Sequence, residues 1–246
     1  MKLEGKRILI TGGGSGMGLQ LARRLADRNK VVIAGRDLAK LERARGDTSA
    51  LQTRQLDVTS EEEARDGLGW VARELGGLDL LVNNAGLFRS YALSDDDAEA
   101  KAIEDIEVNL LGALRMTRLA LPLLEASREG SVLFMSSALA LAAVPGFAVY
   151  AATKAAVHSL ARSLRVELKS KHIRVFEVLP PVVDTGQARE LDVAKLSPEA
   201  VADAIVAGLR RDREEIRVAQ VRQLAPLARI APSLADRIVT RALTPH

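Results

Sequence analysis

The chain predicts an α/β fold, a doubly wound parallel β-sheet with helices on both faces, in one domain. Three observations lead there. Short apolar runs rich in strand formers alternate with helix-length segments from residue 6 to about residue 211, the pattern of strand–helix–strand units. A glycine cluster, G-G-G-S-G-M-G at residues 12–18, falls between the first apolar run and the first periodic segment. The length of 246 residues and 48% hydrophobic content suit one large ordered core.

The elements can be justified in order. Residues 6–11, K-R-I-L-I-T, read as a strand, and residues 17–28 as a helix with Leu19, Ala22, Leu25 and Ala26 on one stripe. The glycines between them let the backbone approach a pyrophosphate, to which the helix start offers free N–H groups and a favourable dipole. Residues 31–35 form a second strand, whose end chooses between dinucleotides: an acidic residue there takes the ribose hydroxyls of NAD, an arginine the 2′-phosphate of NADP. Gly35 and Arg36 stand at that end, which favours NADP over NAD, with Asp37 capping a helix over residues 38–44.

Residues 51–57 read as a third strand, placing Asp57 and Val58 where they could meet an adenine. Ser60 caps the next helix, residues 61–75, and Glu63 is positioned to complete a capping box. A fourth strand, residues 78–82, runs into Asn83, Asn84, Ala85 and Gly86, small and amide residues that let a cofactor lie against the backbone; the alternative is a plain turn. A long helical region over residues 98–126 is expected to bend or divide at Pro122, and it carries Asn109 among apolar neighbours. That amide is either a helix-bending core residue or part of a proton network.

Residues 131–135 form a buried strand closed by Ser136 and Ser137. After Pro145 and Gly146, Tyr150 is followed four residues later by Lys154, so a helix puts both on one face. A cation beside a phenol lowers a pKa that is ordinarily about 10 and makes the tyrosine a usable acid and base. Ser137 could hold the same substrate oxygen. The pairing also occurs by chance in many helices. Beyond it, a strand over residues 173–179 stops at Pro180 and Pro181, the polar segment 187–196 reads as a lid, a helix spans residues 198–211, and residues 216–219 form a last strand.

Composition excludes several classes. With no cysteine there are no disulfides, thiol nucleophiles or cysteine-held metals, and His158, His172 and His246 have no ligand spacing, so no metal is expected. A net charge of +3 is too small to indicate nucleic acid. The start of the chain fits neither signal peptide nor anchor, and with the absence of cysteine this suggests a cytoplasmic protein. The uncharged stretch between Glu129 and Lys154 is long enough to mimic a membrane span, but its serines and Pro-Gly break favour strand, loop and helix.

Together these motifs resemble the short-chain dehydrogenase/reductase family up to about residue 219. T-G-G-G-S-G-M-G matches its T-G-x-x-x-G-x-G loop, N-N-A-G its central motif, and Tyr150 with Lys154 its Y-x-x-x-K. The resemblance implies a Rossmann-type fold and an NADP(H)-dependent oxidoreductase interconverting a carbonyl and a secondary alcohol. In that scheme Tyr150 exchanges the proton, Ser137 orients the substrate, Lys154 lowers the tyrosine pKa and holds the nicotinamide ribose, and Asn109 holds a relay water. Thr11, Gly12, Gly14, Ser15, Gly16, Met17 and Gly18 would line the phosphate loop. Asn83, Ala85, Gly86, Pro180, Val183 and Thr185 would join Arg36, Asp57 and Val58 around the rest of the cofactor. Where the family usually has Pro-Gly this chain has Pro180-Pro181, and L-P-P-V-V-D-T is similar to the branch named for D-alanine esterification of teichoic acids. The resemblance also implies a homodimer or homotetramer.

The expected division is residues 1–221 as the catalytic domain and 222–246 as an amphipathic helical tail, broken at Pro226 and Pro232. Five arginines from Arg217 onward face one acid, Asp236. The tail would pack on the body or a partner subunit; contact with anionic lipid, or gating of an apolar substrate, is the sharper alternative. Leu87, Phe88, Leu139, Val144, Phe147 and Val182 are candidates for an apolar substrate pocket. The competing functional reading is a binding module that senses nicotinamide redox state without turnover, against which an intact Tyr150 and Lys154 argue.

Overall fold

The computed structural model describes residues 1–46, 48 and 50–243; His246 and the two residues before it, the end of the expected tail, lie outside the described residues. In chain order the elements are β1 (Arg7–Thr11), α1 (Gly16–Ala26), β2 (Lys30–Gly35), α2 (Leu38–Arg45), β3 (Leu51–Gln55), α3 (Glu61–Leu75) and β4 (Leu80–Asn83). There follow α4 (Ala98–Ile106), a π-helical turn (Glu107–Gly112), α5 (Ala113–Glu125), β5 (Ser131–Met135), α6 (Ala148–Glu167), β6 (Arg174–Leu179), α7 (Pro198–Arg210), β7 (Glu215–Arg217), α8 (Val221–Ile230) and α9 (Pro232–Leu243).

The seven strands form one sheet in the order β3-β2-β1-β4-β5-β6-β7, each neighbouring pair parallel. Alternate side chains point to opposite faces. Ile8 and Ile10 of β1 pack with Leu21, Leu25, Ile205 and Leu209 of α1 and α7, whereas Leu9 packs with Leu68, Met116 and Ala161 of α3, α5 and α6. Both faces are covered, so the strands are continuous apolar runs. The order reverses between β1 and β4, and the carboxyl ends of those strands open the crevice in which such sheets bind ligands.

Local chemistry explains the ends of several elements. Asp37 caps α2 by accepting from the Lys40 N–H at 2.8 Å, and Ser60 caps α3 by accepting from the Glu63 N–H at 3.2 Å. The expected capping box does not close, because the Glu63 carboxylate reaches past Ser60 and accepts from the Asp57 N–H at 3.0 Å. This ties the end of β3 to α3.

Two proline expectations are corrected. The long helical region divides at the π turn, after the nine residues of α4, and Pro122 lies inside α5 near its end. Only one carbonyl loses its partner there, and the Ala126 N–H still reaches the Pro122 oxygen at 3.2 Å. Pro226 likewise lies within α8. It and Arg222, whose carbonyl its missing N–H would have met, are both on the exposed face, so that carbonyl is not buried without a partner. Pro232 does begin a new helix, at the position proline tolerates best.

No described helix is long and apolar enough to cross a membrane; the uncharged stretch before Lys154 divides into β5, a loop and the start of α6.

Candidate active site

The glycine turn is fixed by the strands on either side of it. Thr11 Oγ1 donates to the Val82 oxygen at 3.2 Å and accepts from the N–H groups of Asn84 and Ala85, both at 3.1 Å. Asn84 Nδ2 donates back to the Thr11 and Gly12 oxygens at 2.9 and 3.0 Å. The ends of β1 and β4 are thereby sewn together. Gly12 has φ 64°, and a Cβ on it would lie 2.8 Å from the Ala85 Cα. A Cβ on Gly18 would strike Asn84 Nδ2 and lie 2.7 Å from the Gly12 oxygen. Only glycine fits at either position. Ser15, before α1, is extended and its side chain makes no cap, so the helix start faces the cavity through backbone groups.

One cavity of about 920 Å³ runs along the carboxyl edge of the sheet. Gly12, Gly14, Ser15, Gly16 and Met17 line it below, Arg36, Asp57 and Val58 line one end, and Ala85, Gly86, Pro180, Val183 and Thr185 line the middle beside Ser137, Tyr150 and Lys154. Thr185 lies over the turn, its methyl 3.1 Å from where a Gly16 Cβ would be. Lys40, not anticipated from the sequence, stands with the exposed Arg36 at the far end; its place one turn into α2 could have been read from the Asp37 cap.

Asn83 is a correction. It is buried and does not line the cavity, donating instead to Thr117 Oγ1 at 2.8 Å on the helix side of the sheet. Strand alternation sends Asn83 one way and Asn84 into the crevice, and Asn84 is the amide that lines it. Thr11 and Gly18 also stay behind the lining and act by shaping the turn.

Asn109 sits in the π turn, 2% exposed. Its Oδ1 accepts from the Leu87 N–H at 2.7 Å, while Nδ2 donates to the Leu87 oxygen at 3.0 Å and to Thr153 Oγ1 at 3.2 Å. Thr153 in turn donates to the Tyr150 oxygen at 2.7 Å. The amide locks the loop after β4 to the first turn of α6, and both carry site residues. A π turn is a frequent device for turning a functional side chain inward.

Tyr150 and Lys154 share a face of α6, with Nζ 5.7 Å from the phenol ring centre. The ammonium donates to the Met135 oxygen at 2.9 Å, and Ser136 Oγ donates to the Lys154 oxygen at 3.2 Å. Ser137 Oγ accepts from the Leu139 N–H at 3.1 Å. Burial drives both titratable groups toward neutrality. It pushes the Tyr150 phenol up to about 12, with the Ser137 hydroxyl opposing and the Asp105 charge adding to the rise, and it lowers Lys154 to about 8. The lowered phenol expected from the sequence is therefore not found in the chain alone. The lysine directs its ammonium to the Met135 oxygen, and burial makes its charge costlier to hold.

Phe88 stacks on Phe147 at 5.1 Å and meets Tyr150 edge-on at 4.8 Å. Leu87, Phe88, Leu139 and Val182 line the cavity, with Val144 and Phe147 packed behind them. The lid segment is fastened across the site by Gln187, whose Oε1 accepts from the Phe88 N–H at 2.7 Å and whose Nε2 donates to the Gly86 oxygen at 3.1 Å. A fully buried carboxylate, Asp105, accepts from Arg89 Nε at 2.9 Å and from the Tyr91 hydroxyl at 3.0 Å, pinning the loop after β4 to α4. Nothing local in the sequence marked Gln187 or Asp105, since each works through a loop that only the fold brings near.

A glycine turn at the switch point, a Tyr–Lys pair beside it and an elongated cavity joining the two define an oxidoreductase site of the dinucleotide-binding α/β class. The chain belongs to the short-chain dehydrogenase family, whose pattern it matches over residues 6–195. It is 34% identical over 224 residues, 88% of this chain and 89% of the relative, to the uncharacterized oxidoreductase DltE of Bacillus subtilis. It is 32% identical over 228 residues, 84% and 91% of the two chains, to the 3-oxoacyl-[acyl-carrier-protein] reductase FabG of Thermotoga maritima. Among solved structures, a short chain dehydrogenase of Burkholderia cenocepacia in complex with NADP covers 100% of both chains with a TM-score of 0.86 and 28% identity. A 3-ketoacyl-(acyl-carrier-protein) reductase of Brucella melitensis complexed with NADH covers 88% of this chain and 98% of its own, with a TM-score of 0.81 and 29% identity.

Proposed function

We propose that the protein is an NADP(H)-dependent reductase or dehydrogenase that interconverts a carbonyl and a secondary alcohol, with Tyr150 as the proton donor and acceptor. The observation that carries this reading is the single cavity joining the glycine turn to Ser137, Tyr150 and Lys154. The residues present fit a dinucleotide: Gly12 and Gly18 leave no room for a side chain, the start of α1 presents backbone N–H groups, and Arg36 and Lys40 supply cations where a 2′-phosphate would lie. When bound, the nicotinamide supplies or takes up the hydride.

The chain's own part is geometry and proton handling. Ser137 and Tyr150 present two hydroxyls to one substrate oxygen, and Tyr150 gives a proton to it in reduction or takes one in oxidation. A phenol held near 12 stays protonated at neutral pH but is a weaker acid than a free tyrosine, so it exchanges its proton sparingly until a cation stabilises the phenolate. Lys154 is the cation at hand. Reorientation of its ammonium from Met135 toward the site, at a pH where it is charged, is the step that would bring the tyrosine pKa down. Asn109 contributes by holding Leu87 and α6 in register, and Gln187 by keeping the lid over Gly86. The structural neighbour complexed with NADP supports the cofactor preference.

We extend the reading to a catalytic body over residues 1–221 with residues 222–246 as its tail. The exposed Ile103, Ile106, Leu114 and Val166 on α4, α5 and α6 offer apolar area for a second copy, which supports a homo-oligomer. A panel of ketones, aldehydes and secondary alcohols, followed by nicotinamide absorbance with NADPH, NADH and their oxidised forms, tests the function. Turnover with NADPH and a carbonyl supports it. Tight dinucleotide binding without turnover of any member would favour the redox-sensing module.

A further inference from the structure

The cavity does not end at the catalytic residues. Beyond Tyr150 it continues between the body and the α8–α9 pair, where Leu224, Leu227, Ile238, Val239, Ala242 and Leu243 line it. Among the described residues, the charged members of its lining, namely Arg36, Asp37, Lys40, Asp57 and Lys154, belong to the other limb or to the catalytic centre. The polar side chains contributed by this end are the uncharged Gln220 and Gln223.

The wall is anchored. The Ala143 N–H donates to Asp236 Oδ1 at 2.8 Å, and Thr240 Oγ1 donates to the Ala143 oxygen at 3.4 Å, so α9 is held to the loop that carries Leu139 and Val144. The lone acid of the tail is thereby engaged. Leu243 and Val239 pack in one apolar cluster with Phe88, Phe147 and Tyr150. Ile238 lines the cavity while remaining 48% exposed, which marks the mouth of this limb.

The glycine turn and the Arg36 end account for a dinucleotide; among the described residues this second limb offers no charge to a phosphate, and apart from Gln220 and Gln223 its α8 and α9 lining is apolar. We infer that it is a substrate site for an extended apolar chain, so that the carbonyl or alcohol oxygen sits at Ser137 and Tyr150 while an alkyl tail lies along α8 and α9. The inference rests on the proposed function for the position of the reacting oxygen. A pocket of this kind gains affinity with each methylene it removes from water, about 0.8 kcal/mol or roughly fourfold at best. Ile238 and Leu243 are the specificity-determining residues.

The test uses the full chain and a series of 2-alkanones of increasing length. Initial rates with NADPH give kcat/KM, and thermal shifts with the ketones alone, without dinucleotide, give binding independently of turnover. The expected result is a kcat/KM and a binding strength that both climb twofold to fourfold per methylene until the limb is filled. In Ile238→Asn, altered at a half-exposed position that does not threaten folding, and in Leu243→Asn, that climb flattens, with dinucleotide binding as the check that each variant is folded. Turnover without any dependence on length would overturn the apolar site and leave the oxidoreductase reading standing. A binding series that climbs without turnover would overturn the chemistry and leave the site. A climb unchanged in both variants would overturn the assignment to α8 and α9, and absence of both turnover and a climb would remove site and reaction together.

Discussion

Lys154 spends its ammonium on the main-chain oxygen of Met135, at 2.9 Å, and not on the phenol one helical turn away. Burial lowers its pKa from 10.5 to about 8, so keeping it charged at neutral pH costs the folded chain something on the order of 3 kcal/mol. The folded chain holds fewer protons than the unfolded chain between about pH 8 and 10.5. Stability from this group therefore rises with pH across that window, and the cost is fully present below it. Lys154→Met removes the charge but also the bond to Met135. We expect it to gain about 1–2 kcal/mol at pH 7, or roughly 2–8 °C in melting temperature, with the gain fading toward pH 10. Thermal melts of both proteins across that range check it; a gain that grows with pH would contradict the argument.

Tyr150→Phe keeps the ring that meets Phe88 edge-on at 4.8 Å and removes only the hydroxyl. Turnover of any carbonyl found active should fall by about 10² to 10⁴, the usual contribution of a positioned acid or base. The dissociation constant for NADPH should stay within about twofold, because the glycine turn and the Arg36 end are untouched. Steady-state rates and fluorescence titration separate the two quantities. Retained turnover would show that the proton comes from elsewhere.

Much of this arrangement was legible because it is local. Strand, glycine turn and helix occur within residues 7–26, and Tyr150 and Lys154 need only one turn of helix to meet. Asn83 and Asn84 were harder, because which of two adjacent amides enters the crevice depends on the pleat of β4 against its neighbours. The missed groups act across long separations. Gln187 bonds to backbone about a hundred residues earlier, and α9 reaches the loop at Ala143. The pKa of Tyr150 failed for another reason: sequence spacing shows that a cation is near, but not that burial has weakened it or that a carbonyl has claimed it.

The Gly18 position tests how the switch point is assembled. Gly18→Ala places a methyl against Asn84 Nδ2 and 2.7 Å from the Gly12 oxygen, so Asn84 must give up its bonds to Thr11 and Gly12. We expect a loss of about 1–3 kcal/mol, typical of overpacking, together with weaker dinucleotide binding. Gly186→Ala, where an added Cβ meets nothing within 4 Å, is the matched control and should be close to neutral. Urea midpoints measured side by side decide it. Equal midpoints would mean that the turn relaxes freely.

The choice of dinucleotide depends on two exposed cations at the end of the cavity. Arg36 follows β2 directly and Lys40 lies one turn into α2, which Asp37 caps through the Lys40 N–H at 2.8 Å. That bond commits the Asp37 carboxylate to the helix and away from a ribose hydroxyl. Charge-assisted contacts to a phosphate contribute about 1.5–3 kcal/mol, with the lower end expected at an exposed site. Arg36→Leu should therefore weaken NADPH binding by roughly tenfold and leave NADH within about twofold; the double variant with Lys40→Leu should bring the two affinities together. Added salt should weaken NADPH binding more in the natural chain than in the double variant, since surface charge is screened over about 10 Å at 0.1 M. Calorimetric titrations with both dinucleotides at two salt concentrations check each part. If the substitutions weakened NADH and NADPH equally, Arg36 and Lys40 would be holding something common to both, and the preference for NADP would have no source at this end of the cavity.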